Sequence, residues 1–243
     1  MTFRPFGITA TVAAVLLGFA SAGAPAATQA TVPVVKCPLE TMTGAESVSA
    51  PSSVKAALSA SWASQIAFYS IGSLGAFGPR GWHCAGQSGS SGATILIAPG
   101  AAPKPGDDLS GRIGMQVSLY SGDTSGRASV LGIGAPLFAN VRALVPKAEA
   151  TFGLSVARMQ PIPGERVNRL SADIVTVVDP PRVRGSSAGS GGAYASYAVV
   201  IQEPQAGASG GVPALPDLRV ISLTAPAKSA ALMQQLVALN ARR

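Results

Sequence analysis

Histidine, cysteine and aromatic side chains are scarce in this 243-residue chain, and their scarcity excludes several kinds of chemistry. One histidine and two cysteines are too few for a tetrahedral zinc site unless a carboxylate completes it. The cysteines, Cys37 and Cys84, stand far apart in the chain, so there is no C-x-x-C redox motif. We therefore expect neither a metal site nor a cofactor. Aromatic residues make up 5% of the chain, so valine, isoleucine, leucine and alanine must build the core.

Charged residues are also few, at 12% of the chain, and they are unbalanced. The 18 lysines and arginines exceed the 11 acidic residues, which gives a formal net charge of +7. The basic residues are scattered and do not alternate with aromatic residues, so we expect no nucleic-acid partner. A basic exported protein is suited to an anionic envelope component as its partner. Few acidic residues also mean that no pair of facing carboxylates, as glycoside hydrolases use, can be assigned from spacing.

The N-terminal segment has the pattern of a secretory signal peptide. Residues 8–20 are nearly all apolar, a run too short for a bilayer-spanning helix, and Ala20-Ser21-Ala22 offers a small-x-small cleavage site. We predict a cleaved signal peptide over residues 1–22 and a secreted or periplasmic protein with no transmembrane segment after cleavage. A flexible lead-in over residues 23–36 and a single globular domain over residues 37–243 are expected to follow.

The two cysteines of an exported chain are expected to form one disulfide, Cys37–Cys84. Closing a loop of this length stabilises the folded state by about 4 kcal/mol in the chain-entropy description.

The pattern of apolar runs predicts a mixed α+β domain. A mostly antiparallel or mixed sheet is packed by two or three helices, one of them C-terminal, and held by one disulfide. Helices are predicted over residues 51–65, over residues 135–150 with Pro146 ending or kinking the second, and over residues 228–243. Gly/Ser-rich residues 184–192 predict a flexible loop. Strands are predicted at residues 66–71, 93–100, 113–122, 172–181, 193–202 and 218–225, and a strand or a turn at residues 73–79.

Three stretches resemble an uncharacterised family of exported bacterial proteins. They are PRGWHC followed by a Gly/Ser turn and TILIAP, SGDTSGR ahead of an apolar helix, and PIPGERVNRLSADIVTVVDPP. The resemblance covers roughly residues 37–223 and implies a common exported fold, without supplying catalytic residues. After the Pro-Pro pair, where such proteins continue with an acidic residue and glycines, this chain has RVRGSSAG.

The stretch GPRGWHCAGQSGSSG, residues 78–92, holds the single histidine, His83, and invites a catalytic interpretation. The order His83, Asp107 or Asp108, Ser125 matches chymotrypsin-like proteases, but only 42 residues separate His83 from Ser125, too few for the intervening barrels. GQSGS does not complete the G-x-S-x-G elbow of the α/β-hydrolases. We therefore predict a structural stretch: Trp82 packs over the disulfide, and a hairpin turn leads into the next strand. A catalytic or pH-sensing role for His83 is the alternative.

The stretch SGDTSGR, residues 121–127, is the best candidate for a functional loop. One interpretation is a structural turn in which Asp123 caps the turn and Arg127 pairs with it or with a nearby backbone carbonyl. The other is a small anion-binding nest of backbone amides and Arg127. The candidate binding residues are Asp123, Ser125, Arg127 and His83.

The function expected from these observations is that of an exported, disulfide-stapled, non-enzymatic module that binds to, or supports, the cell envelope. The alternative is a secreted hydrolase with a serine or carboxylate site near residues 121–127.

Overall fold

The computed structural model describes residues 29–72, 74–121, 124–153, 155–156, 160, 162–204 and 215–242. The predicted signal peptide therefore lies outside the described residues, as does Asp123. Among the described residues, no helix combines the length and apolar character needed to cross a membrane.

The described residues form thirteen strands and four α-helices. The helices are α1 Ala60–Ala63, α2 Thr124–Leu137, α3 Ala139–Phe152 and α4 Ala230–Asn240, with a 3₁₀ turn at Ala227–Ser229. The strands are β1 Gln29–Lys36, β2 Leu39–Thr41, β3 Gly44–Glu46, β4 Ser53–Ala57, β5 Ile66–Ser70, β6 Gly75–Pro79, β7 His83–Gly89, β8 Gly92–Ala98, β9 Gly114–Tyr120, β10 Arg166–Arg169, β11 Ile174–Asp179, β12 Ala195–Glu203 and β13 Asp217–Ala225.

The strands form two mixed sheets. A nine-stranded sheet has the order β10-β11-β12-β13-β9-β8-β7-β2-β3, and a four-stranded sheet has the order β4-β1-β5-β6. Neighbouring strands are antiparallel except for one parallel pair in each sheet, β2 with β7 and β1 with β5. This architecture confirms the predicted α+β domain with a C-terminal helix and one disulfide.

The large sheet separates two hydrophobic cores, because its strands bury side chains on both faces. Its inner face packs against the small sheet and α4, around side chains such as Ile95, Val117 and Leu236. Its outer face packs against α2 and α3, around Leu131, Val141 and others. Both cores consist mainly of aliphatic side chains, as the low aromatic content predicts.

The predicted disulfide Cys37–Cys84 is present, with the two Cα atoms 5.3 Å apart. Cys37 follows β1 of the small sheet, and Cys84 lies in β7 of the large sheet. The bridge therefore fastens the two sheets to each other at the point where the chain crosses between them. The backbone N–H of Cys37 also donates to the carbonyl oxygen of Ser70, at 2.9 Å.

The C-terminal helix closes one edge of the small sheet through a buried amide. Asn240, 1% exposed, accepts a hydrogen bond from the N–H of Phe77 and donates one to its carbonyl oxygen, both at 2.9 Å. Phe77 lies in the edge strand β6, whose outward-facing backbone groups need partners. The predicted helix thus completes the sheet as well as the core.

Two sequence-based predictions are wrong in their boundaries. The lead-in over residues 23–36 does not stay loose, because Gln29–Lys36 is strand β1, with Val32 fully buried. Pro33 is tolerated there because β1 changes partner at this position, from β4 to β5. The helix predicted over residues 51–65 is instead strand β4 followed by the single turn α1, because β4 completes the small sheet beside β1.

The helix predicted over residues 135–150 is part of a longer helical pair. Helix α2 begins eleven residues earlier, at Thr124, and α3 continues through Pro146 to Phe152. Proline removes one backbone donor from a helix. The buried neighbours Val145 and Ala148 nevertheless hold α3 against the sheet on both sides of Pro146.

Candidate functional site

The stretch that contains the single histidine is held in place by a buried tyrosine. The hydroxyl of Tyr69 lies 2.5 Å from the carbonyl oxygen of Pro79 and 3.1 Å from that of Trp82, and it donates to them. Burial raises the pKa of Tyr69 to about 12. Trp82 is half-buried against the core that contains both cysteines. His83 is exposed at the start of β7. These contacts favour the structural interpretation of this stretch.

The SGDTSGR stretch is mostly the beginning of helix α2 rather than a loop. Ser125 is exposed, Arg127 is half-buried, and both lie in the first turn of α2. A Cβ atom on Gly126 would overlap the carbonyl oxygens of Ser121 and Ser91, so only glycine fits there. At least one of the small residues in this motif is therefore required by packing.

The candidate residues His83 and Ser125 do not converge. The first turn of α2 lies against Ser91, in the turn between β7 and β8, whereas His83 lies at the far end of β7. The steps from His83 to Gly89, at about 3.3 Å each, separate the two ends by about 20 Å. A Ser-His pair cannot form across that distance. Asp123 lies outside the described residues.

Sequence analysis missed a polar groove on the outer face of β7, β8 and β9, which we call the outer-face groove. Helices α2 and α3 cover this face over β11 to β13, and α2 also contacts β9, but no residue of β7 or β8 belongs to the helix-covered core. The register places Gln87 opposite Thr94 and Thr94 opposite Ser118, in one row across the strands. The next row places Leu96 opposite Gln116. The alternation of Gln116 and Ser118 with buried apolar residues of β9 is the sequence signal that marks this face.

The buried hydroxyl of Ser118 orients two side chains of the groove. The side-chain amide of Gln116 donates to the Ser118 Oγ at 3.0 Å, and the Thr94 hydroxyl lies 3.3 Å from the same oxygen. Ser118 is 2% exposed, so the oxygen atom that holds these two side chains is buried beneath the groove. The second N–H and the carbonyl oxygen of the Gln116 side chain make no other hydrogen bond to a described residue. They can therefore bind a ligand.

The groove has a volume of about 250 Å³ and two polar walls. The loop between β8 and β9 folds back over the sheet and forms one wall with Pro105, Gly106 and Asp107. Tyr120 lines the opposite end, with part of its side chain packed against the α2–α3 core. The volume lies just below the roughly 300 Å³ at which sites for drug-sized ligands begin.

A second polar cluster lies at the end of β11, where Asp179 is completely buried. The backbone N–H and the hydroxyl of Ser187 both donate to Asp179 Oδ2. Burial and, to a smaller extent, the nearby negative charge of Glu165 raise the pKa of Asp179 to about 6, against the lowering effect of the Ser187 hydrogen bonds. In such surroundings the carboxyl stays protonated to a higher pH than an ordinary aspartate.

The same carboxylates fasten the loop that carries Ser187. Glu165 accepts hydrogen bonds from the N–H and the hydroxyl of Ser186, at 2.6 and 3.2 Å. Gly185 passes so close to Asp179 that a Cβ atom there would overlap its carboxylate. The predicted flexibility of residues 184–192 is therefore replaced by a packed loop in which carboxylates bind the backbone amides. Because Asp179 is sealed from solvent, this cluster has a structural role.

Several basic residues are engaged within the fold. Arg142 donates to the carbonyl oxygens of Ala135 and Pro136, at 2.9 and 3.0 Å, at the C-terminal end of α2. Arg169 donates to the carbonyl oxygen of Leu137 and lies over the ring of Phe138. Positive charge at a helix C-terminus is favoured by the helix dipole. Part of the positive charge thus serves helix capping.

The described residues contain no group of three or more His, Cys, Asp or Glu side chains placed to hold a metal ion. Asp107 and Asp108 instead bind their own loop: Asp107 accepts from the N–H of Lys104, and Asp108 accepts from the N–H of Ser110. The Ser110 hydrogen bonds lower the pKa of Asp108, as do the nearby charges of Arg112 and Arg184.

Comparisons with known proteins find no family model, no curated protein and no solved structure that matches this chain. The resemblance to exported bacterial proteins therefore stays an expectation from the motifs.

Proposed function

We propose that this protein is an exported, disulfide-stapled, non-enzymatic module that binds an envelope polymer in its outer-face groove. The observation that supports this proposal is the polar groove over β7, β8 and the adjoining part of β9, next to the helix-covered remainder of the same sheet face. A buried serine orients two of its side chains, so the groove is preorganised for hydrogen bonding. The disulfide and the signal-like N-terminal segment support export.

The hydrolase alternative has less support. His83 and Ser125 lie at opposite ends of the β7–β8 hairpin. Asp179 and Glu165 lie close together, but Asp179 is fully buried and is bonded to Ser187. A carboxylate acting on a substrate must reach the bond that it cleaves. We therefore place no substrate at this pair.

The proposal is tested by locating the protein and its partner in the same preparation. Cells expressing the full chain with a C-terminal tag are fractionated, and the protein is expected outside the cytoplasm, beginning near Gly23. The purified protein is then mixed with insoluble envelope material and sedimented. We expect it to sediment with the envelope polymer and to remain bound in about 0.5 M NaCl, because hydrogen-bonded contacts resist ionic screening.

The groove is tested as the binding site with the variant Gln116→Ala, which removes a groove side chain and leaves the net charge unchanged. Weaker sedimentation of this variant, with an unchanged thermal melt, supports the groove as the binding site. A protein that keeps Met1 and stays in the cytoplasm would contradict export. If sedimentation is lost in salt and is the same for the wild type and Gln116→Ala, the groove is not the binding site. Release of soluble fragments from the polymer would instead support the hydrolase.

A further inference from the structure

We infer that the outer-face groove takes a neutral oligosaccharide chain, an inference that rests on the binding function proposed above. It narrows the expected partner from an anionic envelope component to an uncharged, polyhydroxylated one. The inference depends on the charge, the hydrogen-bonding groups and the shape of the groove.

The charge of the groove does not suit an anion. Asp107 is the single charged residue among the residues that line it, although the chain as a whole carries a formal charge of +7. Proteins bind phosphate and carboxylate groups with arginine, lysine or clustered backbone amides. A groove walled by a carboxylate and lacking these cations favours an uncharged ligand.

The hydrogen-bonding groups are those that recognise sugar hydroxyls. Gln87, Thr94 and Gln116 present amides and a hydroxyl, each of which both donates and accepts hydrogen bonds. A sugar hydroxyl also does both, so each contact can be made in either direction. When Ser118 donates to Thr94, the Thr94 hydroxyl hydrogen is left available for another acceptor.

The apolar parts of the groove suit the face of a sugar ring. Leu96 and Ala85 are only 4% and 5% exposed, so Tyr120 and Pro105, which retain exposed apolar surface, supply most of the groove's apolar surface. The C–H face of a pyranose packs on such surfaces while its equatorial hydroxyls reach the rim. Tyrosine combines an apolar ring with a polar tip for this purpose.

The groove has room for a chain longer than one ring. Beyond Ala85 and Pro105, a second depression begins, which is lined by Pro38 and Leu39 and by one charge of each sign, Glu40 and Lys104. The two depressions share Ala85 and Pro105, so they follow one another along the outer face of β9, β8, β7 and β2. A linear oligosaccharide can occupy both.

A peptide ligand is disfavoured by the position of these strands. Strands β7, β8 and β9 are interior strands, each hydrogen-bonded to a neighbour on both sides. Peptides that bind to sheets do so by adding a strand to an exposed edge. The groove offers side chains only, which leaves the ligand to be recognised through its hydroxyls.

Isothermal titration calorimetry tests the inference with chitohexaose, cellohexaose and maltohexaose as neutral probes and hexagalacturonate as the acidic comparator. We expect saturable binding of at least one neutral hexasaccharide and weaker binding of the acidic one. Gln87→Ala and Gln116→Ala should each lower the affinity for the neutral ligand about five- to tenfold, the loss expected for one or two hydrogen bonds. Gln65→Ala is the matched control, because Gln65 is exposed away from the groove and bonds to Ser61.

Thermal melts of each variant check that the fold is intact. Because Gln87 is exposed, its truncation is expected to affect the stability of the fold less than that of Gln116. Binding of none of the neutral probes, equal or tighter binding of hexagalacturonate, or groove variants that bind like the wild type would each overturn the inference. If envelope retention still falls in Gln116→Ala while no neutral probe binds, the ligand class is wrong and the proposed function stands. If retention is also unchanged, both fail.

Discussion

At the scale of single residues, Asp179 illustrates how the fold accommodates an ionisable group away from water. Ser187 supplies two hydrogen bonds to one carboxylate oxygen, while the other oxygen is buried without a partner among the described residues. The charged form of such a group is destabilised by burial and by the negative charge of Glu165. The folded protein therefore holds a proton on Asp179 that the unfolded chain releases at lower pH.

This difference predicts a pH-dependent stability. The pKa of Asp179 is about 6 in the folded state and 3.8 ordinarily, so the folded state binds more protons between these values. The stabilisation is fully present below pH 3.8 and is lost as the pH rises through 6. A shift of this size corresponds to roughly 3 kcal/mol. Urea denaturation from pH 4 to pH 8 tests this with Asp179→Asn. The free energy of unfolding of the variant should not fall as the pH rises through 6, and at pH 8 it should exceed that of the wild type.

The matched control is Asp173→Asn, which removes an exposed carboxylate just before the same strand. It should keep the wild-type pH profile. If Asp179→Asn also kept that profile, the buried carboxyl would not be the group responsible.

At the scale of elements, helix α2 is positioned by close backbone contact at its beginning. Gly126 lies against the carbonyl oxygens of Ser121 and Ser91, and this contact seats the first turn of the helix on the β7–β8 turn. At the other end, Arg142 and Arg169 bind carbonyl oxygens of the last turn. Both ends of α2 are thus fixed, and the groove lies beside the helix, over β7, β8 and the adjoining part of β9.

Two glycines of α2 should respond oppositely to the same substitution. Gly126→Ala places a methyl group into backbone atoms and should destabilise the protein by about 1–3 kcal/mol. Gly132→Ala meets no atom within 4 Å and should stabilise the helix by about 0.5–1 kcal/mol. Thermal or urea denaturation measures both. Equal effects of the two changes would contradict the packing role of Gly126 in the SGDTSGR motif.

At the scale of the whole molecule, the disulfide connects two sheets that otherwise meet through an aliphatic core. Cys37 leaves the small sheet, Cys84 lies in the large one, and both belong to the inner core. The intervening chain contains β2 and β3 of the large sheet and β4 to β6 of the small sheet, so the bridge closes a loop that holds every strand of the small sheet except β1. Its main effect on stability is expected through the unfolded chain.

Removing the bridge should destabilise the protein by about 4 kcal/mol, the loop-closure entropy of a loop of this size. The double variant Cys37→Ala/Cys84→Ala, compared with wild type by urea denaturation, measures the loss. Adding a reductant should lower the midpoint of the wild type and leave that of the double variant unchanged. A wild-type protein whose two thiols react with an alkylating agent without reduction would contradict the bridge itself.

The sequence determined the elements whose signals are local. The predicted strands at residues 66–71, 93–100 and 218–225 are present because short β-branched runs between Gly and Pro form strands in most settings. The C-terminal helix followed from its helical spacing of leucines, and the disulfide from the count of two cysteines. The low aromatic content predicted cores that are mainly aliphatic.

Only the tertiary structure decided the rest, because those features depend on residues distant in the chain. Strand β1 exists because β4 and β5 pair with it, which overrides the Pro/Ala-rich composition of its segment. His83 and Ser125 lie apart because β7 runs away from His83 toward the turn that α2 contacts, and the spacing of residues along the chain does not reveal this direction. The groove became visible once register aligned Gln87, Thr94 and Ser118 from three strands on the part of one face that no helix covers.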